Sequence, residues 1–90
     1  MAQVRFTRHL RLHFPDLRDG EVEAATLAEL VRALDRQWPG LAGYLTDERG
    51  ALRKHVNVFV NGELLEDRAG LGDRIAGGDE VFVMQALSGG

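Results

Sequence analysis

The chain has 90 residues, of which 44% are hydrophobic and 28% are charged, a balance typical of one folded domain rather than a disordered chain. A formal net charge of −3 argues against a nucleic-acid binder, and the absence of cysteine excludes disulfides, thiolate metal sites and a cysteine nucleophile. No apolar run approaches the roughly 18 residues of a membrane span, and the first residues lack the layout of a signal peptide, so we expect a cytoplasmic protein with no membrane partner.

The first part of the chain predicts a pair of short strands. Val4 and Phe6 alternate with polar residues, which predicts a strand over residues 2–8. Residues 8–20 contain a proline, two aspartates and a glycine, which is typical of a connection. Residues 21–24 then predict a second short strand that pairs back on the first.

A helix follows, and its start is the clearest local signal in this half of the chain. Thr26, with Glu29 three residues later, forms a capping box that satisfies backbone amides at the helix start. Apolar residues at helical spacing predict one buried stripe, made of Leu27, Leu30, Val31, Leu34 and Trp38. Pro39 and Gly40 end the helix.

The second half predicts a hairpin. A long loop over residues 40–54, with one helical turn near residues 41–45, leads to a strand over residues 55–60, in which every second residue is a valine. Asn61-Gly62 is a tight-turn signal, because both residues tolerate positive φ. Residues 63–65 begin the return strand.

An irregular segment connects the hairpin to the last strand. We expect this bridge over residues 69–75, with Leu71 and Ile75 directed into the core. Two glycines and an aspartate at residues 77–79 then predict a turn into a strand over residues 81–86.

One helix serving one sheet predicts the α+β class. The order strand, strand, helix, strand, short strand, strand fits a β-grasp, or ubiquitin-like, fold: a mixed sheet of four or five strands with the main helix across one face. A right-handed crossover through the helix would set later strands beside the first. We assign residues 1–86 to this domain and residues 87–90 to a flexible tail.

The sequence ends in Gly89-Gly90, directly behind the apolar last strand. Two residues without Cβ atoms make a thin, flexible end that fits a narrow active site on another protein. A carboxylate is a poor electrophile, so an enzyme must first convert it to an acyl-adenylate or a thioester. The tail therefore indicates a carrier or modifier on which a partner does the chemistry.

Three segments together resemble the MoaD/ThiS family of prokaryotic ubiquitin-like sulfur carriers: Val56 to Glu63, Gly77 to Val81, and Ala86 to Gly90. The family includes carriers for molybdopterin, thiamine, cysteine and thiolated tRNA. The loop ending in Leu52 to His55 is most similar to the cysteine-synthesis branch. The tail departs from the commonest family pattern, because many members have proline where Gln85 or Ala86 stands, and alanine or threonine where Ser88 stands.

The resemblance implies a carrier that is not itself an enzyme. An E1-like adenylyltransferase would receive the tail residues Leu87, Ser88 and Gly89 and adenylate the carboxylate of Gly90, consuming ATP that the carrier itself does not bind. A sulfur donor would then convert Gly90 to a thiocarboxylate, which passes sulfur to a synthase or sulfurtransferase. Neither a bound cofactor nor a metal ion is implied.

Two other functions use the same tail. The alternative to a sulfur carrier is a ubiquitin-like modifier, conjugated through Gly90 to lysines of target proteins. A third possibility is a β-grasp interaction module in which the two terminal glycines are incidental.

A carrier also needs a surface by which partners hold it. If Val81 and Val83 point to the helix, Phe82 and Met84 point to the opposite sheet face, and the same alternation places Phe59 there. We predict that Phe59, Phe82 and Met84 form a partner-binding surface. A register error of one residue would invert this assignment.

Other polar groups predict no catalytic or metal site. His9 and His13 are four residues apart, but the predicted connection denies them a shared helical face, so we expect solvated histidines. The only basic cluster, Arg49, Arg53, Lys54 and His55, predicts a solvated loop, with contact to an acidic partner as the alternative. Lys54 is the only lysine beside ten arginines, which fits either a coding bias or a benefit in having few amines near an activated carboxylate.

Overall fold

The last strand in sequence lies in the middle of the sheet. The computed structural model describes residues 1–85, and residues 86–90 lie outside this range. Five strands form one sheet in the order β2-β1-β5-β3-β4. Their bounds are Ala2–Phe6 for β1, Gly20–Val22 for β2, Val56–Val60 for β3, Glu63–Leu64 for β4 and Glu80–Gln85 for β5.

The sheet is mixed, as the sequence predicted. β5 runs parallel to β1 on one side and antiparallel to β3 on the other, while β2 and β4 form antiparallel edges. A parallel pair requires a crossover, and the chain makes it after the β1–β2 hairpin, through the segment that carries the main helix. This mixed sheet with one main helix confirms the predicted α+β, β-grasp architecture.

The main helix, α1, spans Leu27–Gln37. Its capping box is present, because the Thr26 hydroxyl accepts from the Glu29 amide at 3.2 Å and the Glu29 carboxylate accepts from the Ala25 amide at 3.1 Å. The four inward positions are buried: Leu27, Leu30, Val31 and Leu34. Trp38, predicted to continue the stripe, is the C-cap residue and is only half-buried. Its ring packs edge to face with that of Phe6, and the two ring centroids are 6.1 Å apart.

The core lies between this helix and one face of the sheet. Every second residue of the three central strands is buried there: Val4 and Phe6 of β1, Val56 and Val58 of β3, and Val81 and Val83 of β5. The predicted inward positions Leu71 and Ile75 are also buried. The register of β5 is therefore fixed by burial, because a shift of one residue would exchange its two faces.

The connection after β1 differs from its prediction. Residues Arg8–Leu12 form a short 3-10 helix, and Leu10 within it is fully buried. β1 ends at Phe6 and not at residue 8, because the 3-10 helix already begins at Arg8. β2 covers Gly20–Val22, shifted toward the N-terminus from the predicted residues 21–24, because Val22 and not Ala24 takes the core position beside Ala2.

The loop after β3 begins with the predicted tight turn, in which Asn61 and Gly62 have φ values of 52° and 83°. The return strand β4 has only two residues, and the next residue, buried Leu65, still donates its amide to the Val58 carbonyl of β3 at 2.9 Å. A second feature was not predicted: buried Leu71 also has a positive φ of 53°, an uncommon conformation for a side chain of this size.

Aspartates hold the backbone of this irregular loop. Asp67 accepts hydrogen bonds from the amides of Gly70 and Gly72 at 2.8 and 3.1 Å. Asp79 accepts from the Ala76 amide and from the Asn61 side chain. These hydrogen bonds, with Gly70 as the largest cause for Asp67 and Ala76 for Asp79, lower the pKa values of both carboxyl groups.

The lowered pKa values predict acid sensitivity. The unfolded chain takes up protons on these carboxyl groups before the folded one does, so the free energy of unfolding should fall as the pH drops below about 4. Replacing Asp67 with asparagine should lower the stability at neutral pH and flatten this acid limb. Chemical unfolding measured between neutral pH and pH 2 tests this, with Asp16→Asn as the matched control at an exposed aspartate. An acid limb of equal steepness in the Asp67→Asn and Asp16→Asn variants would contradict the assignment.

Candidate functional site: the outer sheet face and the end of the last strand

The sheet face opposite α1 carries a row of apolar side chains. Across neighbouring strands, Phe82 of β5 pairs with Phe59 of β3, and Phe59 pairs with Leu64 of β4. Met84 follows on the same face of β5. We call Phe59, Leu64, Phe82 and Met84 the outer patch.

The three residues predicted to bind partners are thus brought together. Phe59, Phe82 and Met84 line one open groove of about 450 Å³, with Arg5 and Glu80 at its border. Each of the three is half-buried, whereas Val81 and Val83 between them are fully buried. The structure therefore gives the alternation that the sequence predicted, and the role of the surface stays a prediction.

Leu64 was missed by the sequence interpretation. Its side chain is 53% exposed, and it extends the outer patch to the edge of the sheet. The signal was present: a two-residue turn at Asn61-Gly62 pairs residue 60 with 63 and residue 59 with 64, which places Leu64 beside Phe59.

Charged residues at the border of the patch interact weakly. Arg5 and Glu80 approach to 4.0 Å, but both side chains are about two-thirds exposed. Such exposed pairs add little stability, because water and salt screen them. Both residues therefore remain accessible to a partner.

The end of β5 is held from two sides. The Gln85 amide donates to the Thr7 hydroxyl at 3.2 Å, and the Gln85 side-chain oxygen accepts from the Tyr44 hydroxyl at 2.9 Å. Tyr44 lies in α2, the short helix Leu41–Leu45. Residues that are far apart in sequence therefore fix the point from which the chain continues to residues 86–90.

Aromatic rings support Tyr44. The centroid of its ring lies 4.8 Å from the ring centroid of His13 and 5.7 Å from that of Phe14. The Phe14 and Tyr44 rings pack edge to face. His13 is exposed, as expected of a solvated histidine, although its ring also covers that of Tyr44. Among residues 1–85, no group of three or more metal-ligating side chains comes together.

The predicted reactive end lies outside the described residues. This applies to Gly90, to the tail residues Leu87, Ser88 and Gly89, and to the predicted boundary at residue 86. Within residues 1–85, no helix is long and apolar enough to cross a membrane.

Sheet order, main helix and a central last strand define a ubiquitin-like β-grasp protein. Residues 6–90 match the model of the ThiS family, and the chain belongs to this family of MoaD/ThiS-type proteins. The match extends over the last strand and through the two terminal glycines.

Similar proteins include both carriers and modifiers. The sulfur carrier protein CysO of Mycobacterium tuberculosis is 31% identical over 83 residues, which is 90% of this chain and 89% of that protein. Small archaeal modifier protein 3 of Haloferax volcanii is 35% identical over 66 residues, or 73% of this chain and 71% of that protein.

A solved structure agrees over the whole length. The structure of the BexX/CysO complex of Amycolatopsis orientalis contains a chain that superposes with a TM-score of 0.85 at 27% identity, with both chains fully covered. The chain described here is thus a member of a family of small sulfur carriers and ubiquitin-like modifiers, and the predicted family is confirmed.

The hydrogen bond from Tyr44 to Gln85 predicts a local effect on the end of β5. Tyr44→Phe keeps the aromatic packing but removes this bond, which contributes about 1 kcal/mol. Exchange of the Gln85 amide with solvent should therefore become several-fold faster, while the midpoint of global unfolding changes little. Hydrogen exchange followed by NMR measures this, and the Val81 amide in the same sample is the internal control. Unchanged protection at Gln85 would show that the bond does not hold the strand end.

Proposed function

We propose that this protein is a sulfur carrier whose Gly90 carboxylate is activated by an E1-like adenylating enzyme and converted to a thiocarboxylate. The observation that carries the proposal is the position of β5: a central, clamped strand ends at Gln85, five residues before the end of the sequence at Gly89-Gly90. The likeness to the carrier CysO supports the same conclusion.

The chemistry takes place in two steps. A carboxylate oxygen of Gly90 attacks the α-phosphorus of ATP, and pyrophosphate leaves, which gives an acyl-adenylate. Hydrosulfide then attacks the acyl carbon, and AMP leaves with the bonding electrons. The product is a thiocarboxylate at Gly90, formed without oxidation or reduction when sulfide is the donor.

The carrier contributes the carboxylate and the surface by which it is held. ATP is consumed by the activating enzyme, and the carrier needs no bound cofactor. The thiocarboxylate is a soft nucleophile that passes sulfur to an acceptor in a second enzyme, a synthase or sulfurtransferase. Dividing a difficult transfer into easier covalent steps is the general advantage of such an intermediate. The acceptor pathway is the synthesis of cysteine, molybdopterin, thiamine or thiolated tRNA, and the resemblance of the loop ending in Leu52 to His55 favours cysteine.

The outer patch provides the docking surface in this proposal. Half-buried aromatic rings supply apolar area on a rigid sheet, and the thioether of Met84 adapts to different partners. An activating enzyme and an acceptor would use the same face in turn, since both must receive the same tail.

The first experiment uses intact mass spectrometry. The protein is incubated with the adenylating enzyme of the same organism, ATP and sulfide. We expect the mass gain of one sulfur replacing one oxygen, located on the peptide that contains Gly90. A variant with one alanine added after Gly90 is the control and should stay unmodified, because its two glycines no longer carry the carboxylate. Conversion of both proteins, or of neither, would refute the carrier assignment.

A second experiment tests the outer patch. Met84→Gln and Leu64→Asn each keep the side-chain length but remove apolar contact, so KM for adenylation should rise about tenfold while kcat is retained. Arg36→Gln, on the exposed face of α1, is the control and should leave KM unchanged. Thermal unfolding of each variant verifies that it is folded. A normal KM in both patch variants would exclude this face as the docking surface.

Conjugation to lysines of other proteins is the second candidate function. It is favoured by the 35% identity to a small archaeal modifier protein. Incubation of the tagged carrier with a cell extract and ATP distinguishes the two functions, because a modifier forms covalent ladders that depend on Gly90, whereas a carrier forms only the thiocarboxylate.

A further inference from the structure

Basic side chains surround the end of the sheet at which β5 finishes. Two grooves meet at Gln85. One, of about 420 Å³, is lined by Thr7, Arg8, His9, Leu12 and Gln85. The other, of about 370 Å³, is lined by Gly43, Tyr44, Arg53, His55, Val56 and Gln85. Among residues 1–85, no carboxylate lines either groove.

Arg8, His9, Arg53 and His55 line these grooves, and Lys54 lies between the last two in the sequence. We call these five residues the basic collar. All of them are exposed except His9, which is half-buried. Among the residues that the structure describes, the ion pairs within 4.0 Å involve Arg5 and Arg11 and none of the collar. The charges of Arg8, Arg53 and Lys54 are thus available to another molecule.

One part of the collar is held in place. The Arg53 side chain donates through Nε to the Gly43 carbonyl at 3.0 Å, and the Arg53 amide donates to the Leu45 carbonyl at 3.0 Å. The Arg53 carbonyl in turn accepts from Arg68 at 2.8 Å. A guanidinium that is already ordered loses little conformational freedom when it binds a carboxylate. Asp47 accepts hydrogen bonds from the amides of Arg49 and Ala51, and these bonds, followed by the charges of Arg49 and Arg53, lower the pKa of its carboxyl group.

The opposite end of the sheet has the opposite charge. There a groove of about 780 Å³ is lined by five acidic residues, Glu63, Glu66, Asp67, Asp73 and Asp79, together with Arg74. The net charge of −3 therefore conceals a positive end and a negative end. Such an arrangement orients a protein in the field of a charged partner before contact.

We propose that the basic collar docks on a carboxylate-rich protein rim that surrounds the entrance through which a partner receives residues 86–90. The inference rests on the proposed function, because it requires that the end of the chain enter another protein. Collar residues line both grooves at Gln85, the last residue that the structure describes, so the rim of an entrance that receives residues 86–90 must approach them. A protein rim fits better than a nucleic acid, since the acidic end and the net charge oppose an extended polyanion.

Steady-state adenylation measures the contribution of the collar. In the Arg53→Gln/Lys54→Gln double variant, kcat/KM should fall about tenfold at low salt, mainly through KM, because rim charges govern association. The dependence of kcat/KM on salt between about 0.05 and 0.5 M should also become shallower than in the unaltered protein. The control is Arg32→Gln/Arg36→Gln on α1, which loses the same charge at exposed positions away from the collar and should stay within about twofold of the unaltered protein.

A charge-retaining variant separates charge from loop structure. Arg53→Lys/Lys54→Arg keeps both positive charges but changes the hydrogen bond to Gly43, and it should retain the salt dependence. If the double glutamine variant behaves like the α1 control, or if the charge-retaining variant is equally impaired, the proposal is wrong.

A test without any enzyme separates this proposal from the carrier function. If the unaltered protein is not adenylated at all, the proposed function fails, and titration of the labelled protein with a hexaglutamate peptide decides the collar alone. Amide shifts at Arg8, His9 and residues 53–56 that disappear in the double glutamine variant would support an acidic protein partner. The collar proposal is wrong if the peptide causes no amide shifts or shifts other residues. It is also wrong if an oligothymidylate of equal charge binds more tightly than the peptide.

Discussion

The parallel pairing of β1 with β5 is the constraint on which the rest of this structure depends. It places the last strand between β1 and β3, so that its backbone is hydrogen-bonded on both sides. Burial of Val81 and Val83 fixes the register, and the register in turn directs Phe82 and Met84 to the outer face. One pairing thus determines the core, the outer patch and the end of the sheet at which Gln85 lies.

A central last strand also limits how far the reactive end can reach. Five residues follow Gln85, and a fully extended segment of this length spans at most about 18 Å. A partner that acts on Gly90 must therefore approach the same end of the sheet to within this distance. Met84 of the outer patch lies near that end, as do Arg53 and His55 of the basic collar, whereas Leu64 lines the acidic groove at the other end. In the proposed docking, apolar area contributes affinity and charge contributes orientation.

The sequence alone predicted those elements of the fold whose sequence pattern is local or periodic. The capping box at Thr26, the turn at Asn61-Gly62 and the alternation through β3 and β5 each predicted an element and its facing. The 3-10 helix at Arg8–Leu12 was missed because a single buried residue, Leu10, anchors it and gives no period. The contact between Tyr44 and Gln85 joins residues 41 positions apart, and no local pattern encodes it. Leu71 is buried with a positive φ because the loop around Asp67 imposes that conformation, which propensity alone does not predict.

For the proposed function, arginine has a chemical advantage over lysine, which stands beside a coding bias as an account of the composition. A positive charge near an activated carboxylate is useful for docking, but an amine can attack an acyl-adenylate and consume it. A guanidinium keeps its proton at all physiological pH values and is therefore a poor nucleophile, so arginine supplies the charge without the side reaction. Ten of the eleven basic residues, histidines excluded, are arginines. The exception, Lys54, belongs to the collar, and its side chain is exposed. It precedes the first residue of β3, Val56, by two positions, and Val56 pairs with Gln85 at the end of β5. The lysine therefore lies near the end of β5. In a modifier this amine would be the one side-chain acceptor for conjugation between copies, whereas in a carrier it is a hazard that a partner must cover while the tail is activated.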